Sequence, residues 1–209
     1  MWWRKRRPLL IKKIQELDPD VVFLQEIILK NNLRHFELPG YEVCAVKGRI
    51  FAKGGLVILS KLKIKNFYFQ KFQAQGKIFS QQITDRMLGK GFLVAHLENG
   101  QTLVNTHLVS FYYGPPEEVD HGRKSQTTEL ISSIKHHPKI IMGGDFNFIP
   151  TLEEYSLIRE HLHDTAEGDD PTFENYKVDY IFSHEAKKPI QKFIVGGDFS
   201  DHRGIFIEV

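Results

Sequence analysis

The sequence predicts an α/β sandwich, with two sheets packed face to face and helices on the outside. Three observations point to it. Only residues 7–17 and 124–136 carry a sustained helical period, whereas short apolar runs of strand length recur along the chain. Those runs are joined both by a tight turn, Asn99-Gly100, and by long crossovers, so antiparallel and parallel pairings mix. Finally, 209 residues with 41% hydrophobic and 26% charged side chains suit one domain with a buried core.

In residues 7–17, Leu10, Ile14 and Leu17 fall on one helix face, with Lys12, Lys13 and Glu16 between them. Asp18-Pro19 ends the helix, because proline pushes its predecessor out of the α region. Residues 21–25 read as a short buried strand, and residues 56–59, after Gly54-Gly55, as another. Residues 90–96 and 101–107 flank Asn99-Gly100 and form a hairpin. In residues 124–136, Leu130, Ile131 and Ile134 share a helix face and Pro138 stops the helix; residues 139–142 are then a buried strand. Residues 178–182 and 204–208 supply two late strands, and Phe67, Tyr68, Phe69 and Phe72 fit alternating strand packing.

Bulk properties exclude some classes. No apolar run approaches the ~20 residues of a membrane-spanning helix. The start, Met1-Trp2-Trp3-Arg4-Lys5-Arg6-Arg7, is basic like the head of a secretory signal, but Lys12 and Lys13 interrupt the apolar run behind it and no small-residue cleavage site follows. A cytoplasmic protein is expected. The basic run reads as a solvated helix start, with a phosphate backbone or lipid headgroups as the alternative use. Cys44, the single cysteine, has no internal disulfide partner and reads as a buried small hydrophobe. A net charge of +2 leaves a nucleic-acid partner open.

Five segments place polar or ionisable residues directly after apolar runs, where strand ends open onto loops. They are VVFLQE ending at Glu26, LVNTH ending at His107, IIMGGDFN with Asp145 and Asn147, VDYIF with Asp179, and FSDHR with Asp201 and His202. Singly each has a plain structural reading: Glu26 caps a turn, Asp145 makes an Asx turn, His107 is a satisfied structural histidine. Jointly they are a chemical set. Carboxylate and amide oxygens suit a hard magnesium ion, the histidines donate or carry protons near neutrality, and Gly143-Gly144 permits close backbone approach. An oriented water and stabilised phosphoryl oxygens are what phosphate-ester hydrolysis needs.

The strings LQE, NTHL, GGDFN, VDYIF and SDHRG, in that order, resemble the successive motifs of the endonuclease/exonuclease/phosphatase superfamily, over nearly the whole chain from about Arg7. The resemblance implies a deoxyribonuclease-I-like, four-layer α/β/β/α sandwich with mixed sheets, hydrolysing a phosphate ester with a metal-assisted water. It implies Glu26 as the principal metal ligand and Asp201 as a further metal-site carboxylate. Asp145 would position or deprotonate the attacking water, and Asn147 would orient water and phosphate. His202 would contact the phosphate with its ring held by Asp179, and His107 would stand near the leaving group. Magnesium is the implied cofactor, with manganese as substitute.

One departure from the family pattern stands out: no strand ending in asparagine precedes the first helix. Either residues 1–209 are a single domain truncated at its start, or the domain has lost an inner strand; truncation is the expectation, since losing an interior strand strips ladder partners. Phe111-Tyr112-Tyr113-Gly114-Pro115-Pro116 either lines the cleft or packs as a surface loop, and Arg123, with Gln126 and Glu129, is structural or positions substrate. The expected activity is magnesium-dependent phosphodiester hydrolysis, on nucleic acid, a lipid headgroup or a soluble phosphate. The competing reading is a non-catalytic binding or scaffold member of the fold.

Overall fold

A computed structural model of the chain describes residues 2–75, 89–110, 121–168, 170–185 and 189–209. Helix α1 (Trp2–Leu17) begins well before Arg7 and carries Pro8 inside it. Proline there removes one intrahelical donor, while the Trp3 ring, 6.2 Å from Phe36, packs the first turn down. Strand β1 (Val21–Leu24), β2 (Glu42–Cys44) and β3 (Val57–Ser60) make a small antiparallel sheet in the order β1-β3-β2. Short 3-10 turns at Lys30–Phe36 and Lys53–Gly55 lie between them.

The large sheet has the order β4-β5-β6-β7-β9-β8. Its strands are β4 (Ile64–Lys71), β5 (Gly91–Leu97), β6 (Thr102–His107), β7 (Ile140–Asp145), β8 (His163–Asp164) and β9 (Asp179–Ser183). β6 and β7 are parallel, joined by a crossover through α2 (His121–Ile134); the other pairs are antiparallel. Helix α3 (Glu153–Arg159) follows β7, and a separate hairpin of β10 (Gln191–Val195) and β11 (Gly204–Glu208) closes the described chain.

Strand alternation sorts the core into layers. Phe92, Val94, Val104, Ile140 and Met142 of the large sheet meet Leu130, Ile131 and Ile134 of α2. Leu93, Ala95 and Leu103 turn the other way and meet Leu56 and Ile58, between the sheets. Val57 and Leu59 then face Ile14 of α1. The result is the four-layer sandwich expected, α1 over the small sheet over the large sheet over α2 and α3. The second β layer is not continuous: β1 and β11 each pair on one side only, and no strand joins them among the described residues.

Several elements escaped the periodicity. β2, β8 and α3 are too short for a period to register, and β4 shows no clean alternation because Phe67 and Tyr68 are both exposed while Phe69 and Phe72 pack inward. The segment 111–116 lies outside the described residues. Arg123 takes the structural option: fully buried, its Nε lies 3.3 Å from Glu154 of α3. Gln126 and Glu129 serve the same purpose, accepting from the Val109 and Gln73 backbone N–H groups. Cys44 is buried, and burial pushes its thiol pKa up to about 12. Among the described residues no helix is long and apolar enough to cross a membrane.

Candidate active site

Three adjacent strands bring three of the predicted residues together. In the parallel pair His107 stands opposite Asp145, and in the antiparallel pair Asp145 stands opposite Asp179. Leu103 and Ile141 face the space between the sheets, so by alternation Asn105, His107, Gly143 and Asp145 face it too. The two glycines permit this closeness. A Cβ on Gly143 would lie 2.6 Å from the Phe23 ring of β1, and one on Gly144 2.0 Å from the Thr106 carbonyl oxygen. Gly144 also has φ +152°, outside the range comfortable for other residues.

Asp145 is buried, with His107 Nε2 3.3 Å from its Oδ2. The Asn147 backbone N–H donates to Asp145 Oδ1 at 3.0 Å, so Asp145 makes the Asx turn. Asn147 sits at φ 53° and its side-chain amide donates to the Leu108 carbonyl. His202, between β10 and β11, reaches Asp179 with Nδ1 2.9 Å from Oδ2; a carboxylate only accepts, so the imidazole donates.

Charge states follow from these neighbours. Burial opposes ionisation of Asp145, but His107, then His202 and Lys90, outweigh it and hold the carboxyl below its usual value. Burial also works against a charged His202, yet Asp179, Asp145 and Asp201 overcome it and raise the imidazole pKa to about 9. Burial and the like charge of Asp145 push Asp179 up, against the hydrogen bond from His202. At neutral pH His202 is therefore an imidazolium facing the carboxyl groups of Asp179 and Asp145.

Glu26 and Asp201 are not part of this group. Asp145, Asp179 and His202 offer ligand atoms within 4.8 Å of one another, but an imidazolium donating through Nδ1 has no lone pair there for a metal. Glu26 follows β1 at φ 59°; its carboxylate is exposed and makes no hydrogen bond among the described residues. That donor chemistry fits a hard divalent ion, which takes one or two carboxylates and keeps its waters. Asp201 is spoken for in part, since Arg6 of α1 donates to its Oδ1 at 3.0 Å.

Two positioning groups were not singled out from the sequence. Asn105, fully buried, donates to the carbonyls of Leu24 at 2.9 Å and Val57 at 2.8 Å, and accepts from Gln25 Nε2 at 2.7 Å. It thereby ties the large sheet to the strand end that presents Glu26. Thr172 Oγ1 accepts from the N–H groups of Val178 and Asp179, both at 3.0 Å, while its carbonyl accepts from Arg203 N–H. The next residue, Phe173, lays its ring 4.6 Å from that of His202. The NTHL string held a signal for Asn105; Pro171-Thr172-Phe173 offered none without the fold.

The sequence profile of the Endonuclease/Exonuclease/phosphatase family matches residues 3–202. None of the curated proteins matches the chain. Among solved structures it resembles D. rerio TDP2 complexed with a single-strand DNA product, at 18% identity and TM-score 0.74, covering 99% of this chain and 92% of that one. It also resembles a mutant beta toxin from Staphylococcus aureus with bound magnesium ions, at 19% identity and TM-score 0.72, covering 99% and 92%. A third is the 3′ phosphatase NExo from Neisseria bound to a product DNA hairpin, at 15% identity and TM-score 0.67, covering 97% and 93%. At such identities these likenesses speak for the fold.

Proposed function

The chain belongs to the endonuclease/exonuclease/phosphatase family, a membership that supports a phosphoesterase, and we propose from it that residues 1–209 act in the cytoplasm as a magnesium-dependent phosphodiesterase. The observation that carries the reading is the Asp179–His202 pair at 2.9 Å lying against Asp145, itself bonded by Asn147 and His107. Asp145, held ionised, orients the attacking water, and Asn147 completes its cradle. The water oxygen bonds to phosphorus, the P–O bond to the leaving group breaks, and the water's proton passes through the Asp145–His107 pair to the leaving oxygen. His202, protonated at neutral pH, donates to a phosphoryl oxygen as its charge grows, and Asp179 fixes the ring. Glu26, with Asp201 as an additional carboxylate, would hold the magnesium ion, which supplies Lewis-acid polarisation of the phosphate when bound. Nuclease-like and sphingomyelinase-like substrates both fit this chemistry. A scaffold reading leaves the buried Asp145 and the partly buried Asp179 without a purpose that offsets their desolvation.

Hydrolysis of bis-p-nitrophenyl phosphate with and without chelator tests the proposal. The chain should turn it over only with added magnesium or manganese. Asp145→Asn and His202→Ala should each lose roughly 100-fold or more in kcat while remaining folded at the assay temperature. No metal-dependent turnover, or full activity in both variants, would remove the reading.

A further inference from the structure

Directly beyond Glu26 the chain builds a surface the catalytic reading does not use. Residues 28–30 run beside residues 50–52: Ala52 N–H donates to the Ile28 carbonyl at 2.8 Å, Lys30 N–H to Ile50 at 3.1 Å, and Leu29 pairs with Phe51. Residues 46–53 fold back on themselves, with Lys47 paired to Ala52 and Gly48 N–H donating to the Phe51 carbonyl at 2.8 Å. This turn presents Arg49 and Ile50 at its tip. Three large apolar side chains stand in water there: Leu29 is 46% exposed, Ile50 58% and Phe51 42%. Opposed residues of an antiparallel pair project to one side, so Leu29 and Phe51 form a shared patch rather than scattered points.

The charge around that patch has one sign. Residues 27–36 and 45–53 contain no Asp or Glu, and they contribute Lys30, Arg34, Lys47, Arg49 and Lys53, all exposed. None of these cations forms an ion pair among the described residues. An apolar patch rimmed by unpaired cations calls for a partner that is both apolar and anionic. Base stacking would need flat rings, and here the aliphatic Leu29 and Ile50 are more exposed than the one ring, Phe51. A bilayer takes aliphatic side chains without regard to shape and leaves cations among its headgroups.

We propose that this lip is a docking surface for an anionic lipid bilayer. Leu29, Ile50 and Phe51 enter the headgroup–acyl boundary, and Lys30, Arg34, Lys47, Arg49 and Lys53 meet anionic headgroups. The lip hangs directly on the metal-site strand end, because Ile27 N–H donates to the Gly55 carbonyl at 2.9 Å. Docking therefore brings Glu26 to the membrane surface. The proposal stands on surface geometry and does not depend on the catalytic reading.

Cosedimentation with vesicles decides it. The chain should pellet with mixed phosphatidylcholine–phosphatidylserine vesicles, far less with phosphatidylcholine alone, and less as salt rises. Ile50→Ser/Phe51→Ser and Lys47→Gln/Arg49→Gln should each weaken vesicle binding roughly tenfold, with melting temperature and bis-p-nitrophenyl phosphate turnover unchanged. Absence of binding to the mixed vesicles overturns the proposal, as does binding indifferent to Ile50→Ser/Phe51→Ser. A single-stranded oligonucleotide that binds in fluorescence anisotropy, loses affinity with Lys47→Gln/Arg49→Gln and ignores the apolar pair would assign the lip to nucleic acid instead.

Discussion

His202 shows what single-residue reasoning can and cannot reach. Its place after Ser200-Asp201 marked it in the sequence, but its charge depends on Asp179 and Asp145, which arrive from distant segments. Folding raises its pKa from an ordinary 6.5 to about 9. A raised histidine contributes stability fully below its unfolded value, and that contribution fades as pH climbs through the folded value. The melting temperature should thus fall by a few degrees between neutral pH and about pH 10, and His202→Gln should flatten that fall. An equal fall in the variant would show that His202 is not the group titrating. Asp145 works with opposite sign: lowered in the fold, it contributes above its ordinary 3.8 and loses that contribution as pH drops. Glu26 and Asn147 add a second lesson, for both occupy left-handed backbone that costs a side-chain-bearing residue ~1 kcal/mol or more, and nothing local in the sequence announces it.

At the scale of elements, β6 and β7 were legible because they are buried on both faces and read as apolar runs. Their ends were legible because polarity switches abruptly there. What joins them was not legible, since hydrogen bonds between sheets leave no period. Asn105 illustrates this. Asn105→Leu removes both donors to Leu24 and Val57, leaving two buried carbonyls unmet at ~1–3 kcal/mol each. It should lower stability by about 3 kcal/mol in urea unfolding and should also weaken magnesium activation, because the strand end before Glu26 loses its tie. A stability loss with metal activation intact would confine Asn105 to packing. Thr172 joins elements in the same manner, between Asp179 and the His202 loop. Thr172→Val, which deletes the acceptor but keeps the shape, should lower kcat roughly tenfold with KM little changed, while Thr172→Ser restores it. Combined with Asp179→Asn the loss should be less than additive; full additivity would deny that Thr172 acts through Asp179.

The whole molecule divides its stability unevenly. The large sheet is sandwiched between α2 and the small sheet, so β5, β6 and β7 are buried on both faces. The β10–β11 hairpin has no such support. Its apolar residues are half-exposed, it contributes to none of the three core clusters, and β11 has one edge without a strand partner among the described residues. Yet the loop of this hairpin carries His202. The hairpin is fastened at the site itself, by the Asp179 bond, the Phe173 ring and the Arg203 N–H to the Thr172 carbonyl. Opening free energies rise with buried apolar contact and fall with exposed backbone, so amides of β10 and β11 should exchange with solvent at least ~100-fold faster than those of β5, β6 and β7, a difference of ~3 kcal/mol in local opening. Removing the clasp with Asp179→Ala should speed exchange in the hairpin further and leave the large sheet's inner strands unchanged. Mass-spectrometric hydrogen exchange on the parent and the variant measures both. Equal protection of hairpin and central strands would mean that another contact anchors β10 and β11, and that catalysis and local stability are not joined at His202.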